Sequence, residues 1–281
     1  MILDTIAAST RKRVEAQKEK KSLEQVIEEA FRIREKETTL GKNAAGEELS
    51  GAAGGEGAFK AALGCPGLSF ICEVKKASPS KGLIAPHFPY MDIAREYEEA
   101  GADAISVLTE PEFFLGSSRY LEEIHSSVSL PLLRKDFTID EYQIYEAKTI
   151  GASAVLLICS LLTEEQLRRY IGICRELGLA QLVEAHTDDE VEMAAEAGAT
   201  ILGINNRNLK TFEVDFSNAL RLRRLVDPGT VFVAESGIRG PEDVRALAEA
   251  KVDAVLIGET LMRADDRKEM LRKLRQAARG R

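Results

Sequence analysis

The sequence predicts a (β/α)8 barrel, the TIM-barrel form of the α/β class, with an N-terminal helical extension. Three observations predict it. First, a segment recurs: Glu99-Ala-Gly-Ala-Asp-Ala-Ile-Ser-Val-Leu108, Ile150-Gly-Ala-Ser-Ala-Val-Leu-Leu157, Glu196-Ala-Gly-Ala-Thr-Ile-Leu-Gly-Ile204 and Ala250-Lys-Val-Asp-Ala-Val-Leu-Ile257. Each reads as a helix end followed two residues later by a β-branched run. Second, eight such runs begin near Ser69, Asp103, Leu130, Ser153, Leu179, Thr200, Thr230 and Asp253, about 26 residues apart, which is the length a strand and its crossover helix need. Third, the runs are apolar at nearly every position, as strands covered on both faces are. An open doubly wound sheet competes, but the eightfold rhythm favours the barrel.

The first 68 residues do not fit the repeating unit. Residues 3–20 are helix-compatible and end in the charged Lys18-Glu-Lys-Lys21, which reads as a solvated helix face. Ser22 and Gln25 form a capping box before a helix whose apolar stripe is Leu23, Val26, Ile27, Ala30 and Phe31. Residues 41–57 hold six Gly and four Ala and read as a flexible loop. Residues 59–63 add a turn of helix. We read 1–68 as an extension packed on the barrel, so that 1–281 forms one domain. Between the later strands, residues 91–100, 164–177, 188–197 and 241–250 are amphipathic helices. Gly101, Gly151 and Gly198 suit the left-handed position that ends a helix.

Composition narrows the function classes. Of 281 residues, 44% are apolar, which is ordinary for a folded chain. No run approaches 18 apolar residues and no secretory leader opens the chain, so neither a membrane span nor export is expected. A net charge of −8 argues against nucleic acid or an anionic membrane as partner. The cysteines lack zinc spacing, and Cys72, Cys159 and Cys174 sit in or beside apolar runs, as buried reduced thiols do. A reducing, cytoplasmic setting follows. His186 has no His or Cys partner for a metal site, and His87 and His125 read as surface-loop residues.

Chemistry in such a barrel sits at the C-terminal strand ends. Alternation in Ile71-Cys-Glu-Val-Lys75 turns Glu73 and Lys75 inward and Cys72 and Val74 toward the helices. The other ends supply Lys135, Glu184, Asn205 with Arg207, and Glu235 with Ser236. Lysines and carboxylates crowded into one mouth perturb one another and can donate, accept and clamp charge. Gly237 and Gly258 follow the seventh and eighth strands, where backbone N–H groups meet a phosphate; Glu259 opens a short helix there. The mobile-looking loop 78–82, with Ser78 and Lys81, could close over that phosphate or be an ordinary connection. Phe113, Phe114 and Phe137 serve either as core or as a platform for an aromatic substrate.

These segments resemble the indole-3-glycerol phosphate synthase family. The resemblance rests on Phe70-Ile-Cys-Glu-Val-Lys-Lys-Ala-Ser-Pro-Ser-Lys-Gly82, Ser106-Val-Leu-Thr-Glu110, Phe114-Leu-Gly-Ser117, Leu133-Arg-Lys-Asp-Phe137, Leu182-Val-Glu-Ala-His186, Gly203-Ile-Asn-Asn-Arg-Asn-Leu209, Ala234-Glu-Ser-Gly-Ile238 and Ile257-Gly-Glu-Thr-Leu-Met262, in family order. It implies ring closure of 1-(2-carboxyphenylamino)-1-deoxyribulose 5-phosphate to indole-3-glycerol phosphate with loss of CO2 and water, a carboxy-lyase step of tryptophan biosynthesis. It implies Lys135 as general acid, Lys75 as partner of the substrate carboxylate or phosphate that can share the acid duty, and Glu73 as the group holding Lys75. Glu184 becomes the acid/base of dehydration, Asn205 orients the carboxylate side, and Arg207 supports Glu184 or that carboxylate. Glu235 and Ser236 close the rim. Ser78, Phe114, Phe137, Arg207, Gly237, Gly258 and Glu259 contact the substrate. No metal or cofactor is implied, and a monomer or weak homodimer is expected. Phosphoribosylanthranilate isomerase, a Schiff-base lysine aldolase and a non-catalytic scaffold barrel are the rival readings.

Overall fold

Strict alternation of short apolar runs with amphipathic helices leaves a parallel sheet as the way to pair every strand, and closure removes its edges. The computed structural model describes residues 2–40, 56–208 and 211–279. Its eight barrel strands are β1 (Ser69–Val74), β2 (Ala104–Leu108), β3 (Leu132–Lys135), β4 (Ala154–Ile158), β5 (Ala180–Ala185), β6 (Ile201–Asn205), β7 (Val231–Glu235) and β8 (Ala254–Ile257). Each pairs in parallel with its successor, and β8 returns to β1 through Ser69↔Ala254 to Cys72↔Ile257. Every strand begins within two residues of its expected start.

The helices are α1 (Ile2–Lys20), α2 (Leu23–Leu40), α3 (Glu56–Leu63), α4 (Tyr90–Glu99), α5 (Ser118–His125), α6 (Glu141–Thr149), α7 (Glu164–Leu177), α8 (Asp188–Glu196), α9 (Ser217–Leu222), α10 (Pro241–Glu249), α11 (Glu259–Met262) and α12 (Arg267–Ala278). The Ser22–Gln25 capping box forms in both directions, with N···O distances of 2.9 and 3.3 Å. The loop expected over 41–57 lies outside the described residues except for Glu56 and Gly57, which already belong to α3. His125 is exposed but ends α5 instead of lying in a loop, where its ring packs over Gly151.

Gly101, Gly151 and Gly198 take φ of 85–89° as their repeat requires, and in the fourth copy Lys251 takes the same turn at φ 57°. The repeat extends to its partners. Asp103 accepts from the Phe70 N–H at 2.7 Å and Asp253 from the Phe232 N–H at 2.8 Å. Arg275 and Arg223 then lie 5.4 Å over those two rings.

Two apolar layers result. Outward residues such as Cys72, Val74, Val107, Val155 and Val183 pack under the helices. Inward residues such as Ile71, Leu133, Leu156, Leu182, Val233 and Leu256 fill the barrel. The extension covers both ends of that filling. Phe59 and Leu63 of α3 cap the bottom beside Ser69, and Ile6 of α1 joins the inner layer near the mouth. α1 is tied to the third βα unit by Arg13–Asp136 and Lys18–Asp140, each at 2.7 Å.

Candidate active site

The C-terminal strand ends open on a cavity of about 780 Å³. Alternation directs Glu73, Glu184 and Glu235 inward from three strands, and all three are buried. Lys135 ends β3 between two of them, its Nζ 3.6 Å from Glu184 Oε2 and 3.5 Å from Glu235 Oε2. Lys75 follows β1 and pairs with Glu73 Oε1. Asn205 ends β6 level with Glu235, and its Oδ1 accepts from the Arg207 N–H at 3.0 Å.

The charges set one another. Burial alone would lower Lys135, but Glu235, Glu184 and Glu73 outweigh it and raise its affinity for the proton. Burial would raise Glu73, but Lys75 and Lys135 hold it below the ordinary carboxylate range. Burial pushes Glu235 up to about 7, with Glu184 and Glu73 adding to the shift against Lys135. The mouth thus contains a cation, a firmly ionised carboxylate and a carboxyl that exchanges its proton near neutrality.

Loops complete the walls. Glu110 accepts from the N–H groups of Glu112, Phe113 and Phe114 at 2.7–3.0 Å and folds the β2–α5 loop inward. Phe114 then meets Phe137, with ring centroids 5.9 Å apart, and both line the cavity. Ile2, Leu3 and Ile6 of α1 continue the apolar surface. Residues 78–82, expected as a mobile loop, form a short hairpin in which Ala77–Ser78 pairs with Gly82–Leu83. Its Lys81 reaches Glu259 Oε1 at 3.3 Å.

All fourteen expected site residues border this cavity: Glu73, Lys75, Ser78, Phe114, Lys135, Phe137, Glu184, Asn205, Arg207, Glu235, Ser236, Gly237, Gly258 and Glu259. Two reasons change. Arg207 does not support Glu184; its nearest carboxylate is Glu259, at 3.9 Å, and its Nη1 donates to the Phe212 carbonyl at 3.2 Å. Gly258 lacks a Cβ for a nearer cause than an approaching anion: that Cβ would fall on Glu73 Oε1, with Lys75 Nζ at 2.9 Å. Phe113 packs against the inner layer and does not line the cavity.

Four contributors escaped the sequence reading. Gly203 of β6 leaves the space that the Glu235 carboxylate fills; a lone Gly inside an apolar strand was its signal. Arg13 of α1 meets both oxygens of Asp136, next to Lys135, at 2.7 and 3.1 Å. Asn206 donates to the Ser236 carbonyl at 3.1 Å, steadying a residue held at φ 65°. His186 stands behind Glu184, 3.6 Å from its Oε1. No pattern in the sequence marks Arg13, and Asn206 lies in the 203–209 segment with no role of its own read from it.

The profile of the indole-3-glycerol phosphate synthase family matches residues 3–274. The chain belongs to the indole-3-glycerol phosphate synthase family. It is 55% identical over 278 residues to an indole-3-glycerol phosphate synthase of Ruminiclostridium cellulolyticum, covering 99% of this chain and 100% of that one. It is 51% identical over 275 residues to one of Endomicrobium trichonymphae, covering 98% and 100%. Solved structures share the barrel at low identity. A 3-hexulose-6-phosphate synthase from Salmonella typhimurium aligns with a TM-score of 0.62 at 16% identity, over 75% of this chain and 98% of that one. Tryptophan synthase subunit alpha from Legionella pneumophila aligns with 0.60 at 12%, over 80% and 99%. These two speak to the fold alone. Membership of the synthase family makes the chain a carboxy-lyase, and the cavity above is where its inward-facing family motifs converge.

Proposed function

We propose that the cavity closes the indole ring of 1-(2-carboxyphenylamino)-1-deoxyribulose 5-phosphate, and that Lys135 is its general acid. The observation carrying this reading is a half-buried lysine flanked at 3.5 and 3.6 Å by two carboxylates at the mouth of a synthase-family barrel. The anilino nitrogen pushes electrons into its ring, and the ring carbon attacks the ketone carbon. Lys135 protonates the ketone oxygen as the C–C bond forms. Loss of CO2 returns an electron pair to the ring, and loss of the hydroxyl as water completes the indole.

The remaining residues divide the other tasks. Glu73 holds Lys75 for the substrate carboxylate or phosphate. Glu184 serves as acid/base in dehydration, and Glu235 and Ser236 close the rim. Asn205 orients the carboxylate side. Phe114 and Phe137 flank the aromatic ring. Ser78, Gly237, Gly258 and Arg207 take the phosphate end, beside Glu259. The reading extends to a cytoplasmic enzyme, supported by the burial of the Cys72, Cys159 and Cys174 side chains in the apolar layer, and to a monomer or weak homodimer, which sedimentation checks.

The direct test follows the fluorescence of the indole product as it forms from the anilino substrate. Lys135→Ala is expected to lower kcat by roughly 10²–10⁴-fold while KM stays nearly constant, because the phosphate and aromatic contacts lie on other residues. Turnover within about two-fold of the parent removes Lys135 from the mechanism.

A further inference from the structure

The two carboxylates flanking Lys135 differ in what stands behind them. Glu235 meets Lys135 through Oε2, and its buried Oε1 makes no hydrogen bond among the described residues. Glu184 meets Lys135 through Oε2, while its Oε1 faces His186 Nε2 at 3.6 Å. That Nε2 is buried and has no hydrogen-bond partner among the described residues, so Glu184 is the carboxylate it faces. The opposite ring nitrogen, Nδ1, lies 3.4 Å from Glu190 Oε2.

The local sequence builds this arrangement. Glu184 turns inward from β5 by strand alternation, and His186, just past the end of that strand, stands behind it outside the cavity lining. Thr187 then caps α8, accepting from the Glu190 N–H at 3.3 Å. Glu190, one turn into α8, reaches back and accepts from the His186 N–H at 2.7 Å. Asn218 of α9 donates to the His186 carbonyl at 3.1 Å. The ring therefore stands between two fixed carboxylates.

A neutral imidazole has one N–H and one lone pair. Either tautomer sets its lone pair against a carboxylate, Glu184 in one case and Glu190 in the other. Only the imidazolium offers a donor to both. We propose that His186 is a positioning residue which, as an imidazolium, holds Glu184 so that each of its oxygens faces a cation. The proposal rests on the reading of Lys135 and Glu184 as the reacting pair.

Every charged neighbour bears on it. Glu184 from β5, Glu190 from α8 and Glu235 from β7 favour the charged ring and outweigh burial, which alone would lower it; His186 is held above its ordinary value. Lys135 of β3 opposes from beyond Glu184. Asp188, at the start of α8, is paired with Arg221. The Cys159 thiol, which donates to the Glu190 carbonyl, is pushed up to about 12 by burial and stays neutral.

The experiment joins imidazole NMR to pH–rate profiles of the parent, His186→Asn and Glu190→Gln. The chain has three histidines, so the resonance missing from His186→Asn is assigned directly. That resonance is expected to titrate above about 6.5, and at lower pH in Glu190→Gln. The parent kcat is expected to fall on the alkaline side as this group titrates. His186→Asn loses that limb and roughly ten-fold in kcat, with KM within about three-fold, since its amide donates without charge. A ring already neutral at pH 6.5, or a midpoint unmoved by Glu190→Gln, overturns the proposal even if His186→Asn does not fold. A charged ring with no matching limb in kcat leaves the ring described and refutes its role through Glu184.

Discussion

Gly203→Ala separates activity from stability. A Cβ at Gly203 would fall on Glu235 Oε1, with the carboxyl carbon at 3.3 Å and Leu182 Cδ1 at 3.1 Å. The backbone is an ordinary strand, so no φ strain arises and the strand itself gains up to about 0.5–1 kcal/mol from Ala over Gly. Relief must come from the Glu235 carboxylate, which has to retreat by about 1 Å to restore normal contact. Its Oε2 stands 3.5 Å from Lys135, so that retreat carries it out of ion-pair reach or turns it away from the cavity. A 1 Å misplacement beside the reacting groups costs roughly 10²-fold, or about 2.7 kcal/mol of barrier. We expect kcat from the fluorescence progress curve to fall by about that factor while Tm moves by no more than a few degrees. A kcat within about two-fold of the parent would refute the claim that Gly203 shapes the site. A matching collapse in Tm would show that the methyl damages the barrel instead.

Three further outcomes are expected. Gly258→Ala displaces Glu73 and Lys75, so turnover of the phosphorylated substrate should fall together with binding of its dephosphorylated analogue; a loss confined to the phosphorylated ligand would return Gly258 to a purely anion-approach role. Glu235 binds its proton more tightly when folded, near 7 against about 4.3 when unfolded, so its stabilisation is complete below about 4.3 and is lost as pH rises toward 7. The Tm of Glu235→Gln, measured against the parent from pH 4.5 to 8, should gain across that window, and a flat difference would contradict the buried proton. Arg13→Met leaves Asp136 with Arg134 at 3.6 Å as its remaining cation, so urea unfolding at pH 7 should show a loss of about 1–3 kcal/mol. Asp136 is held below its ordinary value, burial being outweighed by Arg13 and Arg134, so this loss should shrink as pH falls below about 4.

The strands and most helices were legible because each is specified locally. Period-two and 3.6 patterns, left-handed glycines and the Ser22–Gln25 cap lie within one element or its neighbour. The charged site residues were legible for a related reason: a carboxylate or lysine on the inward face of a buried strand has no structural excuse. What stayed hidden depends on distant pairs. Nothing near Arg13 in the sequence announces Asp136, and nothing around Gly258 announces that the missing methyl makes room for Glu73. The resemblance offers Arg207 either Glu184 or the substrate carboxylate, and its guanidinium lies instead 3.9 Å from Glu259 across the rim. Alternation tells which face a side chain takes, but not how far along that face a long one reaches.

The seam of the barrel runs through the site. Glu73 lies on the first strand and Lys75 just past its end, and the glycine that accommodates them follows the last strand. The Glu73–Lys75 pair therefore takes its final place only when the chain has closed on itself, after nearly the whole barrel has been made. During synthesis the lysine and carboxylates of the earlier strands emerge without the wall that Gly258 supplies. In refolding, helix content can recover through local contacts well before the non-local β1–β8 pairing forms. Enzyme activity then reports closure of the barrel, which a helix-dominated far-ultraviolet signal scarcely registers.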